Sequence, residues 1–407
     1  MPATLTLNLP RSHNVFTFSP IEPTKEIVGI ATLTLPTARK IKSIDVDLKG
    51  VEEVHLSRGK EKHELISERF NICGERTMQA GEHHLDFFFF VPNTFVYERH
   101  SHGTSFQYIK ATVVFDEWMA FTLTQKLDLL FAAHPKGWGY IPFGESVQTA
   151  VDGLGPVEVT YNTRHLTVSA VLEMELHLAR AASDLRVHGL QLSVEQLTTL
   201  FSRSDAQYKE VLPAVSHVIL NKGSKTMSTD ILPERLSQDY PIKARYLTRL
   251  PDDTKIRGSH CDYTDSAIQS THRLVLDIWH STYAKPVVYK ARIALPVKIP
   301  HCLLSFDSVL LPRYEDHVKM QQLRENDRRT YAGIGKERQE SCNCTKSYEE
   351  AKAVAMSIHD IVSPIGKSSS GRGDREGFYV APNDTELSKR DDPPKYLYNP
   401  ADERGEE

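Results

Sequence analysis

Near the end of the chain stands DDPPKYLYNP, Asp391 to Pro400, in which Pro393, Pro394 and Tyr396 read as Pro-Pro-x-Tyr. Each proline ring holds φ near about −65° and removes a backbone donor, so the pair is biased toward polyproline II before anything binds it. Little chain entropy remains to be lost, and the tyrosine ring two residues on supplies a second anchor. The chemistry is recognition: a stiff, extended ligand for an aromatic-lined groove. A looser version, LLPRYEDHV, sets Leu311, Pro312 and Tyr314 at the same spacing, at the end of a predicted strand, where a turn is the simpler reading.

Other reactive residues do not converge in the sequence. Cys342 and Cys344 form a Cys-x-Cys pair in ESCNCTKS, but a closed zinc site needs four ligands and no second pair or neighbouring histidine stands beside them. No metal and no cofactor is expected. His83-His84 and the His100/His102 pair belong to a set of 18 histidines, in which chance clusters occur, and they read as solvated loop residues. The chain contains no nucleophile elbow, Walker loop, dinucleotide fingerprint or His-Glu-x-x-His helix, so nothing in it predicts an enzyme. The five cysteines are scattered and odd in number, which suits reduced thiols better than a disulfide framework.

The elements that would carry the hook are strands. From residue 4 to about 300 the apolar residues alternate with polar ones, the period of sheets with one wet and one buried face. In IDVDLKG, Ile44, Val46 and Leu48 face one way and Asp45, Asp47 and Lys49 the other, with Gly50 closing the run. LDFFFFVP stops at Pro92, which cannot donate to a ladder. LTVSAVLEMELHLA alternates from Leu166 to Leu178, and later runs end at Trp279 and Ile299. Many short strands without helical periodicity predict antiparallel sandwiches. The Gly/Pro-rich stretch from His134 to Pro156 predicts a boundary near residue 150. The predicted layout is thus two tandem immunoglobulin-like β-sandwiches over 1–150 and 151–312, then a polar tail over 313–407.

In that tail GKSSSGRGDREG has no apolar residue and cannot offset its own ordering entropy. Within it, Tyr348, Ala351, Ala355, Ile358 and Val362 recur at helical spacing after Ser347, predicting a short amphipathic helix over 347–362 that docks on the body. The net charge of −4 gives no electrostatic footprint for nucleic acid. No apolar run reaches the length of about 20 residues that a membrane-spanning helix needs, and the N-terminus does not read as a secretory signal. A cytoplasmic location is expected.

Tandem sandwiches, a Gly/Pro linker and a polar tail resemble the arrestin family. The opening PTKEIVGIATLTLPTARKIKSIDVDLKGVEEV is similar to the arrestin start at Glu26, Gly29 and Gly50, and departs from its turn at Thr24 and Lys25. LDFFFFVPNTFVYERHSHGTSFQYIKATVVF resembles the family's apolar strand, Pro-bearing loop and aromatic next strand, without the usual Leu-Pro-x-Ser. AIQSTHRLVLDIW resembles a late strand of the arrestin C-domain. The Pro-Pro-x-Tyr tail, with no helical segment in the first domain, is similar to the α-arrestins, the arrestin-related trafficking adaptors, and most like their fungal members.

What the resemblance implies is an adaptor. Pro393, Pro394 and Tyr396 would bind WW domains of HECT-type ubiquitin ligases, with Leu311, Pro312 and Tyr314 as a secondary site. The sandwiches would hold a plasma-membrane or endosomal cargo protein, to be ubiquitylated, endocytosed and sorted. The alternative it implies is an arrestin-fold scaffold of a retromer-like coat, or a pH-signalling arrestin, with no direct ligase recruitment.

Overall fold

Many strands follow the alternation of their own sequence, with inward residues buried and outward ones wet. The computed structural model describes residues 2–9, 14–116, 122–135, 143–179, 184–226, 231, 241–282, 287–304 and 343–356, all within one compact unit, Met1–His359. The first half contains β1 (Thr4–Asn8), β2 (Val15–Phe18), β3 (Thr24–Leu35), β4 (Arg39–Leu56), β5 (Gly59–Cys73), β6 (Arg76–Met78), β7 (Gly81–Pro92), β8 (Glu98–His100), β9 (Gly103–Phe115) and β10 (Thr122–Ala133). The second half contains β11 (Phe143–Val151), β12 (Gly155–Thr163), β13 (Val171–Leu178), β14 (Arg186–Phe201), β15 (Lys209–Val211), β16 (Val215–Gly223), β17 (Ile242–Arg249), β18 (Ile268–Ser281) and β19 (Tyr289–Val297).

The first half pairs a sheet β1-β3-β7 with a larger one ordered β2-β10-β9-β4-β5, to which β6 and β8 add at β4 and β9. Among the described strands only the β2–β10 ladder is parallel. Their inner faces meet in one core that includes Ile27, Leu33, Phe87, Ile44, Leu48, Val113, Phe115 and Phe131. The second half pairs β11-β12-β13-β17 with β15-β14-β18-β19, with β16 against β14, around a separate core including Val159, Leu172, Leu176, Leu192, Leu276 and Ile293. Each such side chain, once fully buried, contributes about 1.5–3 kcal/mol through loss of apolar surface to water. The described residues are nearly all β, two sandwiches each closed over its own apolar core.

Several details differ from the sequence expectation. Gly50 does not close its strand: β4 runs on to Leu56. A Cβ at Gly50 would lie 2.6 Å from Ile66 Cγ2 of β5, so the glycine is there for close approach and not for a stop. Gly29 serves the same purpose opposite Phe87, whose ring carbon Cζ would sit 2.3 Å from an added Cβ.

The alternation from Leu166 is not one strand either. Its paired part begins at Val171, because Ser169 adopts φ 68°, a left-handed conformation that ends the extended run. The expected boundary near residue 150 cuts β11, which pairs along its length with β12 and so belongs to the second sandwich.

A helix, α1 (Tyr348–Met356), forms where the periodicity predicts one; residues 357–362 of the predicted span lie outside the described residues. Ser347 Oγ and Glu350 form a reciprocal cap. The Glu350 amide donates to Ser347 Oγ at 3.3 Å, while the Ser347 amide donates to Glu350 Oε2 at 2.7 Å. Ala351 is buried, so the helix is docked on the body.

Candidate functional site

The two sandwiches meet where the β4–β5 hairpin of the first reaches the segment after β14 in the second. An apolar patch of Val54, Leu56, Leu200, Ala267 and Ile268, flanked by Tyr208 and Leu212, forms the dry part of the contact. Around it runs a polar network. Glu52 stands in the inward phase of β4 and is 1% exposed, so its charge must be met inside. Arg203 Nε donates to Glu52 Oε2 at 2.6 Å, and the Ala267 amide donates to Oε1 at 2.9 Å. Arg203 also reaches Asp265, through Nη1 to the carboxylate at 2.5 Å and Nη2 to the backbone carbonyl at 2.8 Å.

At the hairpin tip, Glu61 accepts Ser204 Oγ at 2.7 Å, Ser202 Oγ at 2.8 Å and the Arg203 amide at 2.9 Å. These donors, the Ser204 hydroxyl foremost, hold its carboxyl far below the usual range against the opposing effect of burial. Arg58 lies with its guanidinium carbon 4.0 Å from the centre of the Tyr208 ring and donates to Glu61 at 2.9 Å and Asp205 at 3.1 Å. Glu210 Oε1 accepts Ser57 Oγ at 2.7 Å and the Tyr208 hydroxyl at 2.6 Å.

A second strip joins the loop after β7 and β8 to residues 257–301. Arg257 Nε donates to Glu98 Oε1 at 2.8 Å, and burial raises the Glu98 carboxyl against that pull. The Asp265 amide donates to Thr94 O at 2.8 Å, and the Tyr263 hydroxyl lies 2.9 Å from Phe18 O and 3.0 Å from His134 O. Gln196 Oε1 accepts the Arg257 amide at 2.7 Å and lies 3.1 Å from His272 Nε2. On its other nitrogen His272 meets Ser259 Oγ at 2.8 Å. This ring stays neutral because burial lowers its pKa to about 4. A cleft with about 40 Å³ of free space opens between Tyr97, Glu98, Ser259, Cys261 and His301, room for water molecules. The arrangement sets the two sandwiches against each other through paired charges, and its chemistry is that of a latch.

A different surface offers ligand chemistry. On the outer face of the β5-β4-β9-β10 sheet, Lys62, Lys110 and Lys126 surround Phe106 and Tyr108. The two rings stack with centroids 6.2 Å apart, and Lys126 Nζ lies 4.3 Å from the Tyr108 centroid. Lys126 pairs with Asp128 at 2.8 Å; among the described residues neither Lys62 nor Lys110 has a carboxylate within 4.0 Å. Cations beside flat aromatic faces suit an acidic, extended peptide.

The hook Pro393, Pro394 and Tyr396, the secondary candidate Leu311, Pro312 and Tyr314, and Cys342 lie outside the described residues. Three of the four paired histidines are strand residues, His83 and His84 in β7 and His100 in β8, while His102 stands in the turn that follows β8. Their alternate exposure follows the strand, and His100 is half-buried, with burial and then the neighbouring His102 lowering its pKa to about 4. Cys344 comes to rest beside Cys302 and Asp253, a grouping that separations of 42 and 91 positions in the sequence conceal.

Among the described residues no helix is long and apolar enough to cross a membrane. No family model and no curated protein matches the chain.

Proposed function

We propose that this chain is an arrestin-like adaptor that brings a WW-domain, HECT-type ubiquitin ligase to a membrane-protein cargo. The observation that carries the reading is the Pro-Pro-x-Tyr sequence of Pro393, Pro394 and Tyr396 on a chain whose body is a pair of β-sandwiches. The diproline is pre-set for an aromatic groove, and the tyrosine supplies the ring that a second pocket takes. Support for the cargo half comes from the lysine–aromatic face, which fits an acidic cytoplasmic segment of a plasma-membrane or endosomal protein. Loose binding at each end suffices, because one chain holding both partners raises their effective concentration toward each other. The adaptor works in the cytoplasm and reaches membranes through its cargo.

The test is capture by the full chain of a WW-domain ligase and of membrane cargo, read out together. Tyr396→Ala with Tyr314→Ala should abolish ligase capture and leave cargo capture in place. Lys62, Lys110 and Lys126 changed together to Glu should do the opposite. Ligase capture that persists in the double tyrosine variant would sink the adaptor reading.

A further inference from the structure

The segment that opens at Asn343 is held on the second sandwich by a polar clamp. Asn343 is 4% exposed and donates from Nδ2 to Thr167 Oγ1 at 3.1 Å. Its carbonyl accepts Ser169 Oγ at 3.3 Å and Arg249 Nη2, and that same nitrogen donates to Lys346 O at 2.8 Å. The left-handed turn at Ser169 is part of the clamp, since Arg249 Nε donates to the Ser169 carbonyl at 3.1 Å. Between the two gripped carbonyls sits Cys344. Its Sγ, the Sγ of Cys302 in the loop after β19, and a carboxylate oxygen of Asp253 in the loop after β17 all lie within 4.8 Å of one another.

We propose that Asp253, Cys302 and Cys344 form a zinc site that ties the segment beginning at Asn343 to the second sandwich. Two sulfurs and one carboxylate oxygen make a borderline-soft donor set. Thiolates select against magnesium and calcium, which prefer all-oxygen ligands, and a carboxylate is a ligand zinc takes readily. The spacing agrees as well. Zinc bonds of about 2.3 Å to sulfur and about 2.1 Å to oxygen put the S···O edge of a tetrahedron at ~3.6 Å. Cys302 Sγ and Asp253 Oδ2 are 3.6 Å apart.

Cys344, on the clamped turn, has only to close the remaining gap. Cys302 and Cys344 each bring an Sγ to the group, and the Asp253 carboxylate placed with them is a third donor that a metal uses and a disulfide does not. Cys302 is buried, which fixes one ligand firmly; Asp253 and Cys344 are half-buried and give an ion its route in from solvent. Water completes the tetrahedron. The consequence is mechanical: metal pins the chain just ahead of α1 to the body, and removing it frees that end.

The full chain, purified without chelators, should carry one zinc per chain by elemental mass spectrometry. Cobalt exchanged into it should give a thiolate-to-metal charge-transfer band in the near ultraviolet. Cys344→Ser and Asp253→Asn should each lose the zinc and weaken that band, while keeping the parent circular dichroism spectrum. Cys302→Ser is the harsher test because its site is buried, so the other two variants decide if it misfolds. Chelation of the parent protein should raise amide exchange across 343–356 to the level of Cys344→Ser and leave β13 and β17 protected.

Three results would overturn the proposal: no zinc retained or taken up on titration; zinc retained equally by Cys344→Ser and Asp253→Asn; or a Cys302–Cys344 disulfide found in metal-free protein by non-reducing peptide mapping.

Discussion

Glu52 and Arg203 stand 151 positions apart in the chain and meet across the two sandwiches at 2.6 Å, the carboxylate 1% exposed and the guanidinium only partly so. A pair this buried on one side stabilises mainly by what its loss would leave behind. With Glu52→Ala the Ala267 amide loses its acceptor, and Arg203 keeps only Asp265, whose side chain is 63% exposed and counts for little. The expected loss of stability is about 3–5 kcal/mol in urea unfolding, the range for stripping one partner from a buried ion pair. Lys49→Ala, which breaks the exposed pair with Glu64, should cost less than about 1 kcal/mol. Equal effects of the two changes would show that the interdomain pair carries no special weight.

Acid should loosen the molecule, and the signs can be assigned group by group. His272 stays neutral in the fold because burial lowers its pKa from 6.5 to about 4. Between those values the unfolded chain binds a proton that the folded chain refuses, so stability falls as pH drops through the window. His100, lowered to about 4 chiefly by burial, acts in the same direction. Glu61, depressed by its hydroxyl and amide donors, adds its loss below its ordinary 4.5. Glu98 opposes them: its carboxyl is raised by burial, so its contribution is present in acid and is lost as pH rises through its folded value. Unfolding free energy should therefore fall as pH drops from 6.5 toward 4, by up to about 1.4 kcal/mol per pH unit for each histidine, and the melting temperature should fall with it. His272→Gln should flatten the slope over that window; an unchanged slope would remove His272 from the account.

Two glycines should resist even a methyl group. At Gly29 an added Cβ would lie within 2.9 Å of three carbons of the Phe87 ring, and Phe87 is fully packed in the first core. At Gly50 it would meet Ile66 Cγ2 at 2.6 Å. Each Gly→Ala change should cost about 1–3 kcal/mol by overpacking. Combining Gly29→Ala with Phe87→Leu should recover part of the loss, and a purely additive double variant would mean that the ring is not what excludes the methyl.

How far the sequence discloses this molecule depends on the range of the interaction. Strands are local, and the alternation of Ile44, Val46 and Leu48 or of Leu172, Met174 and Leu176 reports them directly. Gly50 misleads because a glycine in an alternating run looks like a stop when the reason for it, Ile66, lies across a ladder. Thr167 and Ser169 keep the formal alternation going through a turn that only the backbone at Ser169 reveals. The strand β11 escapes notice because it is mostly exposed, with Phe143, Val147 and Val151 alone packing partly against the core. The interface leaves one local trace: Glu52 is a charge at an inward position of β4, in phase with Leu48 and Val54, which demands a partner without naming it. Cys302 and Cys344 leave none, since their meeting depends on the chain returning to the second sandwich.

That return can be weakened without touching either sandwich core. Arg249 holds the carbonyls of Asn343 and Lys346, and Ser347 with Glu350 closes the first turn of α1. A capping serine contributes about 1 kcal/mol to its helix, and the nine residues of α1 are too few to persist in water without docking. Ser347→Ala should therefore raise amide exchange within 348–356 roughly fivefold, the equivalent of about 1 kcal/mol. Arg249→Ala should raise it further, because the Lys346 carbonyl loses its guanidinium donor and the Asn343 carbonyl keeps only Ser169 Oγ. Neither change should move the exchange of β14 or β18, which pair with each other at the centre of the opposite sheet. Measurement by hydrogen–deuterium exchange with peptide resolution separates these outcomes. A Ser347→Ala protein whose helix exchanges at the parent rate would show that docking through Ala351, and not the cap, holds α1 in place.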